Sequence, residues 1–253
     1  MSAFTEANRK AFNNLASSYL SKPWQQKLAS QVSDALQERK DWIGVQWANP
    51  GDNRDVKLLD YACGTGAITK ALGPYVNTIR GIDVSESMVE EYNKAAHSSG
   101  LTKEQANAVV GDLVGDSVPE NLNGPEYENF DIAVIGLGFH HFEHPQRAIK
   151  RLAERLKPGT GVLVIVDWLP SDSGHKTEEN HQKQHSTNSD MGDMSHTIKH
   201  DGFEREDMKK LFDGAGLVDF GWYVLPEPSI LEMNTGTRSK TLFIAKASRA
   251  QSA

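Results

Sequence analysis

The chain has 253 residues, 38% of them hydrophobic, enough for one sizeable core with a small appendage. A formal net charge of -7 argues against a nucleic-acid substrate and against an anionic membrane surface. No apolar run reaches the length of a membrane span, "MSAFTEANRKAF" lacks a signal-peptide core, and the lone Cys63 cannot form an intramolecular disulfide; a cytoplasmic location is expected, with the nucleus as the alternative.

Residues 1–45 are expected to form a helical cap, because "AFNNLASSYL" and "WQQKLASQVSDALQERKDWIG" repeat apolar residues every three or four positions. Pro23 divides the two helices and suits a first turn. "QWANPGDNRD" (46–55) is a loop by composition. Short apolar runs follow at 56–61, 77–82, 106–110, 130–136 and 161–168, and most are separated by amphipathic segments such as "SESMVEEYNKAAHSS". That alternation predicts a parallel sheet with helices on both faces, and the near-continuous apolarity fits strands covered on both sides. At 203–247 "EREDMKKLFDGAG" is a helix closed by glycine, and "LVDFGWYVL" and "SKTLFIAKAS" follow without a helix between them, as an antiparallel pair would.

Ligands of such sheets bind beyond the carboxyl ends of the strands. The first strand ends at Asp60, and in "CGTG" Gly64 and Gly66 let backbone approach a ligand closely. The third glycine of a dinucleotide pattern is replaced by Thr69, so this turn alone is also compatible with an ordinary strand-to-helix connection. The second strand ends in Asp83, placed to accept from ribose hydroxyls, and Ser85 or Ser87 would cap the next helix. Asp112, past the third strand, is placed to accept from an adenine amino group; a loop or cap role is the competing reading for both carboxylates.

In order along residues 56–169, "LLDYACGTG", "GIDVSESMV", "VVGDL", "FDIAVIGLGFHHF" and "LKPGTGVLVIVDW" resemble the successive motifs of class I S-adenosylmethionine-dependent methyltransferases, especially the small-molecule type with a UbiE-like core. The resemblance implies a doubly wound α/β fold, a seven-stranded mostly parallel sheet with a terminal antiparallel strand pair, S-adenosylmethionine as cofactor and S-adenosylhomocysteine as product. By the same resemblance Gly64, Thr65 and Gly66 contact the methionine part, Asp60 supports its amino group, and Asp83 holds the ribose. Val84 and Met88 pack on the nucleoside, Asp112 and Leu113 bracket the adenine, Gly136 and Leu137 line the methionine tail, and Tyr19 covers the cofactor or merely packs its helix. The sequence departs from the family at Ala62, where the turn often carries a glycine.

Methyl transfer from a sulfonium needs alignment above all, worth about 7–11 kcal/mol of barrier. A base is required only where the nucleophile must lose a proton, and His140 and His141 in "GLGFHHFEHP" are the candidates, against the reading that they cap the strand. No metal is expected: Asp167 lacks ligand partners for catechol chemistry, and one cysteine argues against arsenic methylation. Residues 170–202 read as a polar lid. Its five histidines (His175, His181, His185, His196, His200) include an i, i+4 pair, but no H-E-x-x-H pattern accompanies them. Only Pro170, Met191, Met194 and Ile198 are apolar there, which leans away from long-chain lipid acceptors. Trp168, Trp222 and Tyr223 line an aromatic pocket or pack the core. The expected activity is methyl transfer to O or N of a small polar metabolite within a single domain spanning 1–253. Two further readings stay open: a protein acceptor reached with a partner, and a subunit that binds cofactor without catalysis.

Overall fold

The computed structural model describes the chain except residues 50, 52–53, 172–193, 234–235 and 252–253. One sheet carries seven strands in the order β3-β2-β1-β4-β5-β9-β6: β1 (Lys57–Tyr61), β2 (Thr78–Asp83), β3 (Ala106–Val110), β4 (Ile132–Gly136), β5 (Val162–Trp168), β6 (Leu217–Val224) and β9 (Leu242–Arg249). The first five strands are mutually parallel. β9 runs antiparallel to both β5 and β6. The terminal pair therefore forms as the sequence implies, with one difference. A separate hairpin, β7 (Ser229–Met233) with β8 (Gly236–Lys240), interrupts the loop between its members. "SKTLFIAKAS" accordingly divides, its first two residues ending β8.

Side chains alternate across the sheet with the period of two that strands impose. Leu58, Ile132, Val134, Val162 and Val164 face one core, shared with Leu36, Ile68, Leu72 and Tyr92 of the helices on that side. Leu59, Ala133, Ile135, Leu163 and Ile165 face the other, under Ile149, Leu152, Met208 and Phe212. The helices are α1 (Ala3–Leu15), α2 (Pro23–Glu38), α3 (Lys40–Ile43), α4 (Ala67–Leu72), α5 (Glu86–Ser98), α6 (Pro145–Arg155) and α7 (Arg205–Gly214). Pro23 opens α2 at its first turn, as its missing N–H and fixed φ favour. Ser85, and not Ser87, caps α5: its Oγ accepts the Met88 N–H at 3.1 Å. α1 begins at Ala3, within the expected helical cap, where Ser2 caps it through the Thr5 N–H. No helix among the described residues is long and apolar enough to cross a membrane.

Candidate active site

Strand order reverses between β1 and β4, whose neighbours continue outward in opposite directions. The loops leaving their carboxyl ends diverge and open a crevice, the place where doubly wound sheets bind ligands. A cavity of about 230 Å³ lies there. Its floor comes from Ala62 and Gly64 after β1, Asp83 and Val84 after β2, Asp112 after β3, and Gly136 to Gly138 after β4. Its cover comes from α1 and the turn behind it, through Thr5, Asn8, Phe12 and Tyr19.

The turn after β1 is tied to its neighbour by Asp83. Asp83 Oδ2 accepts the Gly64 N–H at 2.9 Å and Oδ1 accepts the Ser85 N–H at 2.9 Å. Burial raises the Asp83 pKa, and these backbone donors oppose the shift. Gly64 and Gly66 both adopt positive φ, 49° and 92°, which lets the chain reverse into α4. Ala62, with φ 56°, and Leu137, with φ 58°, take the left-handed conformation without being glycine. They sit at the ends of β1 and β4, on either side of the crevice.

Of the residues expected at the cofactor site, the cavity brings together Tyr19, Gly64, Asp83, Val84, Met88, Asp112, Gly136 and Leu137. Asp60, Thr65, Gly66 and Leu113 are not on its wall. Asp60 lies fully buried beneath the turn, where Oδ2 accepts both the N–H and the hydroxyl of Thr69 and Oδ1 has no partner. Burial pushes its pKa up to about 7 against the hydrogen bonds from Thr69. Gly66 faces the ring of Tyr92 instead, and a Cβ there would stand 3.1 Å from it. Leu113 turns its side chain into the core, while its N–H donates to the Tyr61 hydroxyl at 3.0 Å. That hydroxyl in turn donates to Asp112 Oδ1 at 3.3 Å.

The two histidines separate. His141 reaches the cavity and His140 does not. His140 is buried behind it, with Nδ1 2.8 Å from Asp167 Oδ1 and its backbone N–H donating to Oδ2 of the same carboxylate. Asp167 has a lowered pKa: burial opposes the shift, and His140 with the Trp168 and His140 backbone donors outweighs it. The His141 ring lies 4.0 Å from the His140 ring and edge-on to Phe12 at 5.1 Å. Its Nδ1 is 2.8 Å from the Thr197 carbonyl oxygen. A carbonyl only accepts, so Nδ1 carries the proton and Nε2 is left as an acceptor. Burial, reinforced by His140, lowers the His141 pKa to about 3.

Most of the expected lid, with His175, His181, His185 and Met191, lies outside the described residues. Its described end packs against the site: Met194–Thr197 form a short 3-10 turn, and the N–H groups of Lys199 and His200 donate to the His140 carbonyl. Trp168 is buried in the core, Trp222 stacks on Phe243 at 4.2 Å, and Tyr223 lies under the Arg39 guanidinium; none lines the cavity. Sequence reasoning missed Asn8, Glu143 and Arg147, which do. Glu143 stands within "GLGFHHFEHP", where the histidines drew the chemical reading, and Asn8 sits in a helix whose polar positions carry no motif.

The sequence matches the family model described as a methyltransferase domain over residues 24–219. An uncharacterized methyltransferase of Schizosaccharomyces pombe is 33% identical over 64% of this chain and 53% of its own length. A demethylmenaquinone methyltransferase of Staphylococcus aureus is 28% identical over 66% of this chain and 62% of its own. The chain thus spans between half and two thirds of the curated relatives it matches. Among solved structures, magnesium protoporphyrin IX methyltransferase from Synechocystis PCC 6803, with bound S-adenosylhomocysteine, shares the fold at a TM-score of 0.62 and 15% identity, over 98% of this chain and 100% of that one. With the motifs in order on a seven-stranded sheet that closes through an antiparallel strand, the chain belongs to the class I S-adenosylmethionine-dependent methyltransferases.

Proposed function

We propose that this protein transfers the methyl group of S-adenosylmethionine to O or N of a small polar acceptor held beneath α1. The observation that carries this reading is the meeting of Gly64, Asp83, Asp112 and His141, from the ends of four different strands, in one covered cavity at the switch point. The residues fit the cofactor. Gly64 has open space where a Cβ would stand, and Asp60 Oδ1, just under the turn, is an unpartnered acceptor. When bound, the cofactor supplies a methyl group already activated on a positive sulfur. Asp83 takes the ribose hydroxyls on the lone pairs its two backbone donors leave free, and Asp112 takes the adenine amino group. Tyr61 fixes Asp112 and Leu113 relative to each other, which assigns Leu113 a positioning part through its backbone.

His141 accepts a hydrogen bond from the nucleophile at Nε2 and so points the attacking lone pair. A group with a pKa of about 3 removes protons weakly, so His141 orients more than it deprotonates. His140, clamped by Asp167, is a positioning residue that holds the His141 ring. The cover by α1 favours a small acceptor over a protein side chain. Calorimetric titration of S-adenosylmethionine and S-adenosylhomocysteine into the wild type and Asp83→Ala tests the reading. Binding that the mutant loses supports it; a wild type that binds neither sinks it.

A further inference from the structure

Past β3 the cavity wall is built from Asp112, Val114, Gly115 and Asp116. The backbone donors nearest the Asp112 carboxylate are already engaged: the Leu113 N–H goes to the Tyr61 hydroxyl at 3.0 Å and the Val114 N–H to Asp112 Oδ1 at 2.8 Å. Arg147, in the first turn of α6, lines the cavity at the same end. α6 follows β4, and β1 and β2 stand between β4 and β3 in the sheet, so Arg147 joins the two sides of the crevice. Its Nη1 donates to the Val114 carbonyl at 3.1 Å and to Asp116 Oδ1 at 3.2 Å. Among the described residues its Nε and Nη2 make no hydrogen bond, and neither is buried. The Asp116 side chain is 99% exposed, so water weakens that pairing and the guanidinium keeps its charge for the cavity. Asp112 Oδ2 is likewise free of hydrogen bonds among the described residues and is not buried. The carboxylate and the guanidinium thus hang on the two peptide groups of one residue, Val114. Asp112 Oδ1 and Arg147 Nη1 therefore lie within about 10 Å of each other, close to the span of a purine with a hydrogen bond on either side.

We propose that Arg147 is a cofactor-binding residue that reads the adenine of S-adenosylmethionine, donating from Nε or Nη2 to the ring nitrogen beside the amino group that Asp112 accepts. The proposal rests on the methyltransferase reading and deepens it. Adenine carries its amino donor next to a ring-nitrogen acceptor, N1 on one edge and N7 on the other. A carboxylate beside a guanidinium is the complement of either edge, acceptor to donor and donor to acceptor. The Leu113 and Val114 N–H groups do not supply the donor, since Tyr61 and Asp112 hold them. The bonds at Nη1 suit Arg147 to the task. They fix a long side chain before the cofactor arrives, so less rotamer freedom is lost when the other edge of the guanidinium takes up the base.

The test compares, by calorimetry, the binding of S-adenosylhomocysteine with that of its 1-deaza and 7-deaza adenine analogues, each of which lacks one of the two ring nitrogens. On the wild type, one of the two analogues should bind at least roughly fivefold more weakly than S-adenosylhomocysteine, the scale of a lost hydrogen bond to a charged group. In Arg147→Met, which keeps the length of the side chain and removes its donors, that penalty should fall below about twofold. If Arg147 only held the Val114 segment in place, the variant would weaken all three ligands by the same factor and the penalty would survive; that result overturns the proposal. So does a wild type that binds all three ligands alike, a comparison that needs no variant to fold. A wild type that binds no S-adenosylhomocysteine overturns this proposal together with the methyltransferase reading, whereas equal binding of the three ligands leaves that reading standing.

Discussion

Ala62 holds a left-handed backbone conformation that costs a residue with a β-carbon about 1–2 kcal/mol. The opposite strand end accommodates it: a Cβ on Gly138 would stand 2.9 Å from Ala62 Cβ and 3.4 Å from Ile135 Cγ2. The departure from the family turn thus has its counterpart on β4. Gly138→Ala should destabilise the protein by about 1–3 kcal/mol through overpacking. In an Ala62→Gly background that loss should shrink markedly, so a thermal-denaturation double-mutant cycle should show coupling and not additivity. At the proposed cofactor end, Asp83→Ala removes an acceptor that also ties down the Gly64 N–H. S-adenosylhomocysteine binding should weaken roughly ten- to hundredfold, the scale of a lost charged hydrogen bond. The place of Asp83 on the cavity wall was legible in the sequence because a carboxylate at the end of the second strand has a fixed position in this fold. The compensation between positions 62 and 138 was not, because it depends on β1 and β4 lying side by side, which no local pattern reports.

At the level of elements, α1 is fastened over the site by a polar latch. Arg9 donates from Nη1 to both oxygens of Glu86. Asn13 gives Nδ2 to Glu86 and accepts from the Ser85 hydroxyl and the Ser87 N–H. The Asn13 hydrogen bond, the backbone N–H of Glu86 and Arg9 together lower the Glu86 pKa to about 2. A carboxylate with a depressed pKa contributes fully above its unfolded value of 4.5 and loses the contribution as pH falls through about 2. The latch therefore holds at every pH where the enzyme would work. Glu86→Ala should speed amide hydrogen exchange across α1 and raise the dissociation rate of S-adenosylhomocysteine, with little change in melting temperature, because the pair is exposed and its net worth small. Unaltered exchange in α1 would show that apolar contacts alone hold the helix. Periodicity predicted a helical cap here but not its function, since the latch joins residues 77 positions apart in the chain. The same limit hid the hairpin of β7 and β8, whose "GTRSK" strand is almost wholly exposed and has no apolar alternation to betray it.

Across the whole molecule, two groups pull the pH dependence of stability in opposite directions. His141 is held neutral, with desolvation lowering its pKa from 6.5 to about 3, so its contribution is complete above pH 6.5 and declines as pH falls toward 3. Asp60 has a pKa raised from 3.8 to about 7, so the folded state is relatively favoured below pH 3.8 and loses ground as pH rises to 7. Between about pH 4 and 6.5 the two slopes offset each other. Asp60→Asn should therefore melt higher than wild type at pH 8, by an amount that closes on acidification to pH 4. A constant difference at all pH values would show that Asp60 is ionised in the folded protein. The sheet behind both groups was legible almost strand by strand, because continuous apolar runs between amphipathic segments specify a covered parallel sheet. Its closure has a further meaning for how the molecule comes into being. β9 follows β6 in the chain yet lies between β5 and β6. A nascent chain can stack its first five strands as they emerge from the ribosome, but β6 has no strand to pair with in the sheet until residues 242–249 have been made. Until then the β5 edge stays unpaired, open to a chaperone or to the wrong strand of a neighbour.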